Sequence, residues 1–174
     1  MANLSILKAR RLKNREREQA RQIIVFELGS EFFALPIVAV KKVIHRSETQ
    51  GDTPIAEAGL TVYDGKELLV LDPYVQIFGS APGAAEQTTY RYLMIVCDRS
   101  GEQIGLPLVG PPSVQRIAQS AVSPLPANYA ARVNMQCVLG IIVQPDRPIL
   151  FLLNPEQLIY HRPPSLAGLI QSQE

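Results

Sequence analysis

The sequence is poor in the residues from which catalytic and metal sites are most often built. Its 174 residues include no tryptophan, two cysteines and two histidines. Cys97 and Cys137 are too few for a disulfide framework or a cysteine-based zinc site, and we expect both to be reduced core residues. His45 and His161 each precede an arginine, and neither belongs to a motif with the spacing of metal ligands. We therefore expect no enzyme activity, no cofactor, no metal and no small-molecule substrate.

Long apolar runs are also missing, although 47% of the residues are hydrophobic. Charged residues interrupt the longest candidate for a membrane-spanning helix, at Glu27, Glu31, Lys41 and Lys42. Residues 1–22 lack the apolar stretch of a signal peptide. The hydrophobic content is sufficient for a packed core. Together with the absence of a membrane-spanning run and of a signal peptide, this predicts a soluble, cytoplasmic protein.

The formal net charge of +1 conceals a difference between an N-terminal arm and the rest of the chain. Residues 1–22 contain seven of the 17 Lys and Arg residues but only two of the 16 acidic residues. The arm therefore has a net charge of +5, and the remainder has a net charge of −4. This mildly acidic body argues against a nucleic-acid-binding barrel. The stretch from Asn3 to Gln22 has no Gly or Pro, which predicts an exposed helix, with a solvated extension as the alternative.

Beyond the arm, the pattern changes to short apolar runs separated by turn residues. Seven runs are predicted to be strands: residues 23–28, 32–35, 68–71, 92–97, 104–108, 138–143 and 149–153. Small residues and proline in the segment 79–86 are typical of a linker or an exposed loop. Many short strands on both sides of such a segment predict a barrel or sandwich built in two halves.

The two halves resemble each other in two places. Residues 34–38 (Ala-Leu-Pro-Ile-Val) recur 71 positions later as Gly-Leu-Pro-Leu-Val. Residues 68–73, which end in Asp-Pro, recur 82 positions later and end in Asn154-Pro155. Asp or Asn before Pro is typical of a helix start, because the side chain caps the first turn and Pro is tolerated there. Each half is therefore predicted to end in a short helix. These helices are predicted over residues 74–78 and 156–160.

Residues 23–37 and 40–44 together resemble the opening of a CheW-like domain. Later segments agree with the same family: residues 59–73, 92–114, 138–141 and 149–158. The resemblance implies an all-β fold with short helices, in which two similar five-stranded β-barrel subdomains pack together.

The same resemblance implies a domain division. The CheW-like domain would span residues 23–160, with the first barrel over about 23–79 and the second over about 90–160. The chain ends are free to cross over between the barrels. The basic helical arm, residues 1–22, and a C-terminal tail, residues 161–174, would flank this domain.

The resemblance also implies a role without catalysis. Proteins of this family couple the cytoplasmic tips of chemoreceptors, the methyl-accepting proteins, to a CheA-type histidine kinase, whose regulatory domain has the same fold. The protein would then be an adaptor recruited to receptor clusters at the membrane, with self-association left open. By position, Ile37, Val40 and Val43 are expected to contact a receptor, and burial in an ordinary barrel core is the alternative for them.

The sequence differs from the family at positions where partners are selected. The segment that usually contains Asn-Leu-Arg-Gly is Val62-Tyr63-Asp64-Gly65, so an acidic residue replaces a basic one. A glutamate that is common in the first barrel is replaced by Lys42. Lys42, Tyr63 and Asp64 are therefore predicted to bind protein partners whose charge differs from the usual one.

These departures and the basic arm favour a chemotaxis-like pathway for pilus-driven motility, such as twitching or phototaxis. The alternative function is a barrel protein that binds nucleic acid or an anionic membrane surface through residues 1–22.

Overall fold

The structure, a computed structural model, describes residues 2–48, 58–79, 89–132 and 136–161. The helices in this part of the chain are α1 (Ala2–Glu18), α2 (Pro73–Phe78), α3 (Ala127–Arg132) and α4 (Pro155–Tyr160). The strands are β1 (Ala20–Leu28), β2 (Glu31–Pro36), β3 (Val40–His45), β4 (Ala58–Tyr63), β5 (Lys66–Leu71), β6 (Tyr92–Cys97), β7 (Gln103–Leu108), β8 (Ser113–Ala118), β9 (Val122–Pro124), β10 (Val138–Ile142) and β11 (Leu150–Leu153). The predicted class, mainly β with short helices, is confirmed.

All seven predicted strands are present, with ends that differ by at most three residues. Strands β3, β4, β8 and β9 were not predicted, because few of their residues are buried. Ile44 is the only buried residue of β3, and Ile117 is the only one of β8. A mostly exposed strand such as β3 or β8 lacks the apolar run from which a strand is recognised in a sequence.

The predicted helical arm is present but shorter than expected. The helix was predicted to continue to Gln22, whereas α1 ends at Glu18 and β1 begins at Ala20. Residues 20–22 instead pair with residues 116–118 of β8. Backbone pairing in a sheet thus takes precedence over the helix propensity of these residues.

The strands form two sheets, each of which combines both halves of the sequence. Sheet I has the order β8-β1-β2-β11-β10-β9, and sheet II has the order β3-β6-β7-β5-β4. The hairpin β1–β2 pairs with two strands from the second half of the sequence: β1 pairs with β8, and β2 pairs in parallel with β11. The hairpin β6–β7 pairs with two strands from the first half: β6 pairs with β3, and β7 pairs in parallel with β5. The two predicted halves therefore exchange strands, an arrangement that crossing chain ends allow.

Closure of either sheet into a barrel is not detected. Within the described ranges, no backbone pairing joins β8 to β9 in sheet I or β3 to β4 in sheet II. The expected pair of five-stranded barrels thus corresponds to one sheet of six strands and one of five.

Both faces of the central strands are buried, which explains their unbroken apolar sequences. In β6, Met94 and Val96 belong to a shared core, to which both sheets, α2 and α4 contribute. The alternate residues Leu93 and Ile95 belong to a smaller cluster on the other face of sheet II, here called the outer cluster. Sheet I has an equivalent second cluster around Ile142.

The predicted caps of α2 and α4 are confirmed. An oxygen of Asp72 accepts hydrogen bonds from the backbone N–H groups of Tyr74 and Val75, at 2.8 and 3.3 Å. The side chain of Asn154 accepts the equivalent bonds at the start of α4, at 3.0 and 3.4 Å. The two helices are also tied together, because the fully buried Gln76 donates from Nε2 to the carbonyl oxygen of Leu158 at 2.6 Å.

Candidate protein-interaction surfaces

The turn between β4 and β5 is a two-residue hairpin loop. Tyr63 pairs with Lys66, so Asp64 and Gly65 form the loop, with φ angles of 52° and 71°. Two consecutive positive φ values are typical of a type I′ turn, for which Asp-Gly is a preferred sequence. Asp64 therefore has a local conformational role, and the turn presents its exposed carboxylate at the tip of the hairpin.

Strand β4 exposes its apolar residues and buries a polar one. Leu60 and Val62 are 53% and 41% exposed, whereas Thr61 is 7% exposed. Tyr63 is half-buried against the outer cluster. Because β4 is the terminal strand of sheet II in the described part of the chain, we define Leu60, Val62 and Asp64 as the β4 surface. An edge strand with outward apolar side chains is typical of a surface that binds another protein.

Strand β3 lies at the other end of sheet II and has a different character. Val40 and Val43 are half-buried and pack against the shared core, so each keeps part of its surface exposed. The register of β3 against β6 shifts between Val40 and Lys42, and the two consecutive lysines, Lys41 and Lys42, are both exposed. We call these four residues the β3 surface. Lysines on an edge strand also discourage unspecific pairing with other strands, which is their structural role.

A cleft of about 530 Å³ lies beside the 3-10 turn that follows β2. Ile37 and Val38 line it, and the side chain of Val38 is 86% exposed. The lining also includes Arg21 of β1 and Arg116 of β8, but no acidic residue. The cleft therefore combines apolar surface with positive charge.

The six candidate residues fall into three groups. Ile37 lines the cleft, where the adjoining strands belong to sheet I. Val40, Lys42 and Val43 form part of the β3 surface, at one end of sheet II. Tyr63 and Asp64 lie in the β4–β5 hairpin, at the other end of that sheet. Lys42, which was grouped with Tyr63 and Asp64 as a residue that selects a partner, thus lies beside the expected receptor residues Val40 and Val43, away from the hairpin that contains Tyr63 and Asp64.

Several exposed apolar residues were not singled out from the sequence. Leu60 and Val62 flank Thr61, and this alternation of apolar and polar residues was the available signal. It predicts that Leu60 and Val62 are buried and that Thr61 is exposed, which is the opposite of what the structure shows. Val38 is next to a predicted residue, but the 3-10 turn that exposes it interrupts the alternation of a strand. Only the three-dimensional structure shows that these side chains point outward.

Two hydrogen bonds between a tyrosine and an aspartate connect distant parts of the chain and involve groups with shifted pKa values. Burial, followed by the charge of Asp72, raises the pKa of Tyr90, whose hydroxyl donates to Asp72 Oδ2 at 2.9 Å. The hydroxyl of Tyr160 donates to Asp98 Oδ2 at 2.5 Å, which lowers the pKa of Asp98 and raises that of Tyr160. Burial raises the pKa of Cys137 to about 11, so this thiol is protonated at neutral pH.

Within residues 2–48, 58–79, 89–132 and 136–161, no three His, Cys, Asp or Glu side chains are grouped so that they could hold a metal ion. In the same part of the chain, no helix has both the length and the apolar content needed to cross a membrane. Cys97 and Cys137 are both free.

Comparison with known proteins identifies the fold and the family. Among solved structures, the fold is similar to that of the scaffolding protein TtCheW from Thermoanaerobacter tengcongensis, with a TM-score of 0.59 and 22% sequence identity. The similarity covers 77% of this chain and 88% of that one. No curated protein matches the sequence. Residues 22–162 match the family described as the CheW-like domain. Because this match covers most of the chain, the protein belongs to the CheW-like domain family.

Proposed function

We propose that the protein is a non-catalytic adaptor that couples chemoreceptor-like sensors to a CheA-type histidine kinase. The observation that carries the proposal is the match to the CheW-like domain over residues 22–162. The exposed apolar residues of β4 and of the cleft are consistent with a protein that works by contact. The adaptor would act in the cytoplasm, at clusters of membrane receptors.

An adaptor that holds two partners at once needs two surfaces that do not overlap. The β3 and β4 surfaces would meet this requirement, because they belong to the first and last strands in the order of sheet II. We assign Ile37, Val40 and Val43 to the receptor, since their partly exposed apolar side chains suit the apolar face of a receptor helix. Lys42 would favour an acidic residue on that helix.

We assign the β4 surface, together with Tyr63, to the regulatory domain of the kinase. Leu60 and Val62 supply apolar contact, and an edge strand can pair with a strand of a similar sheet. The carboxylate of Asp64, at the tip of the hairpin, would face a basic group on the partner. The same edge could pair with a second copy of the chain, which makes self-association a competing use of this surface.

The charges of Asp64 and Lys42 support a pathway that controls pilus-driven motility, because they would disfavour partners adapted to the usual family residues. A pull-down with the receptors of a flagellar-type array tests this subclass. Binding of the protein to such an array with ordinary affinity would exclude the pilus assignment but not the adaptor role.

The first experiment measures binding of the full chain to the regulatory domain of each chemotaxis-type kinase of its host. Asp64→Asn removes the charge and keeps a residue that tolerates positive φ, whereas Asp64→Arg reverses the charge. We expect saturable binding to one kinase, a loss of a few-fold with Asp64→Asn and a loss of more than tenfold with Asp64→Arg.

Asp146→Arg is the matched control. Asp146 is exposed and has a φ of 56°, so this variant makes the same charge change in the same backbone conformation, between β10 and β11 of sheet I. Its affinity for the kinase should equal that of the wild type. Equal losses from Asp64→Arg and Asp146→Arg would remove the assignment of the β4 surface. Absence of binding to every kinase would overturn the coupling function itself.

A further inference from the structure

Helix α1 exposes large apolar side chains. Every side chain described in α1, from position 4 to position 15, is exposed. Leu4, Ile6, Leu7 and Leu12 are 69%, 56%, 57% and 61% exposed. Single apolar side chains such as Ile6 are common on a surface, but three leucines on one side of a single helix point to a surface that is covered when the protein works.

The leucines and several cations share one side of this helix. Residues three or four positions apart are neighbours on a helix surface. The following residues form such a series: Leu4, Leu7, Lys8, Arg11, Leu12 and Arg15. We call this series the α1 stripe. It includes no acidic residue, and the first acidic residue of the chain is Glu16. The stripe therefore presents apolar groups and positive charge in the same direction.

A surface that is both anionic and apolar complements this stripe. Anionic phospholipids attract cations at the headgroups, and the boundary of the acyl chains accepts leucine side chains. Lysine and arginine can keep their charged ends among the headgroups while their aliphatic stems lie deeper. A nucleic acid would neutralise the cations but would leave the leucines without an apolar partner.

We propose that α1 lies flat on an anionic phospholipid bilayer, with the α1 stripe toward the lipid. The helix is about 25 Å long at 1.5 Å per residue, so the whole stripe can reach the surface at once. Only Gln19 separates α1 from β1, so the CheW-like domain would be held close to the bilayer. This attachment is peripheral and does not depend on the proposed coupling function.

The test uses flotation of the full chain with vesicles of phosphatidylcholine alone and with vesicles that also contain phosphatidylglycerol. One variant neutralises the stripe, with Lys8→Gln, Arg11→Gln and Arg15→Gln. Its matched control, Arg10→Gln, Lys13→Gln and Arg17→Gln, removes the same number of charges at positions of α1 that do not belong to the α1 stripe. Gln has a helix propensity similar to that of Lys and Arg, so helicity, checked by circular dichroism, should be retained.

We expect the wild type to float with the anionic vesicles and not with the neutral ones. The stripe variant should bind about a hundredfold more weakly, since each cation near an anionic surface contributes about 1 kcal/mol. The control should lose less than about tenfold, because Arg10 and Lys13 lie across a helix about 10 Å wide from the stripe, beyond the screening length of about 8 Å. No flotation with anionic vesicles, or equal losses in both variants, would overturn the proposal.

A leucine variant separates lipid from nucleic acid. Leu4→Gln combined with Leu7→Gln keeps every charge of α1 but should weaken binding to anionic vesicles at least about tenfold, because two apolar contacts are lost. The alternative outcome is that the protein binds a DNA duplex at least as tightly as the vesicles and that the leucine substitutions change neither affinity. This outcome would reassign α1 to nucleic acid and overturn the proposal. All variants should bind the kinase regulatory domain like the wild type, so a failure here is distinguishable from a failure of the coupling function.

Discussion

Gly140 lies where two backbones of sheet I approach closely. A Cβ atom at this position would lie 2.4 Å from the carbonyl oxygen of Ser123 in the neighbouring strand β9. The register of β10 against β11 shifts between Val138 and Gly140, so the glycine also lies at an irregularity of the strand. The backbone of β9 would have to move to accept any side chain here.

Gly140→Ala should therefore destabilise the protein by about 1–3 kcal/mol, the usual cost of forcing extra volume into a packed site. Gly110→Ala is the control, because a Cβ there has nothing within 4 Å and no positive φ opposes it. That variant should be neutral or slightly stabilising. Urea unfolding followed by circular dichroism measures both. Equal free energies of unfolding for the two variants would contradict the role of the close contact.

The sequence did not show that residues of the same type have different structural roles. Gly110 and Gly140 both fit a turn or a strand corner, and only the distance to Ser123 separates them. Asp64 was chosen because its charge differs from the family pattern, and the sequence did not show that its backbone has a φ of 52°. The spacing of residues along the chain does not predict the distance between strands that are far apart in sequence.

The short helices α2 and α4 are the elements best predicted from sequence, because their caps are local. Asp72 and Asn154 each bond to N–H groups two and three residues later. Edge strands such as β3 and β8 were missed, since their identity depends on pairing with β6 and β1 rather than on their own residues. The sequence left open whether Val40 and Val43 lie in the core or on the surface, and it did not show that they and Asp64 belong to opposite end strands of sheet II.

The two caps should differ in their contribution to stability. Asn154→Ala should cost about 1 kcal/mol, the typical value of an N-cap. Asp72 is buried, and its second oxygen accepts the hydroxyl of Tyr90 at 2.9 Å. Asp72→Ala should cost at least about 1 kcal/mol more, because it leaves this hydroxyl without its partner.

Thermal and urea unfolding of the two alanine variants test this difference. The control is Tyr90→Phe, introduced alone and together with Asp72→Ala. If the hydroxyl accounts for the difference, Asp72→Ala should cost less in the presence of Tyr90→Phe than in its absence. A similar cost for the two alanine variants in the wild-type background would contradict the prediction.

The exchange of strands between halves determines how the whole molecule holds together. The hairpin β1–β2 is completed by β8 and β11, and the hairpin β6–β7 is completed by β3 and β5. The shared core then takes residues from both sheets. The repeated segments revealed that the halves are similar, but two similar halves give the same sequence pattern whether they fold separately or exchange strands. Only the pairing between distant strands distinguishes these arrangements.

A cut between the halves distinguishes them in solution. A specific protease site inserted within residues 80–88 would separate β1–β5 from β6–β11 after cleavage. We expect the two pieces to remain together in size-exclusion chromatography and to unfold in one transition, because separation would remove strands from both sheets and expose the shared core. Each piece produced alone should be unfolded, while the uncut protein with the same insertion serves as the control. Elution of two folded, separate pieces would show instead that residues 23–79 and 90–160 are independent domains, and the exchange of strands would be wrong.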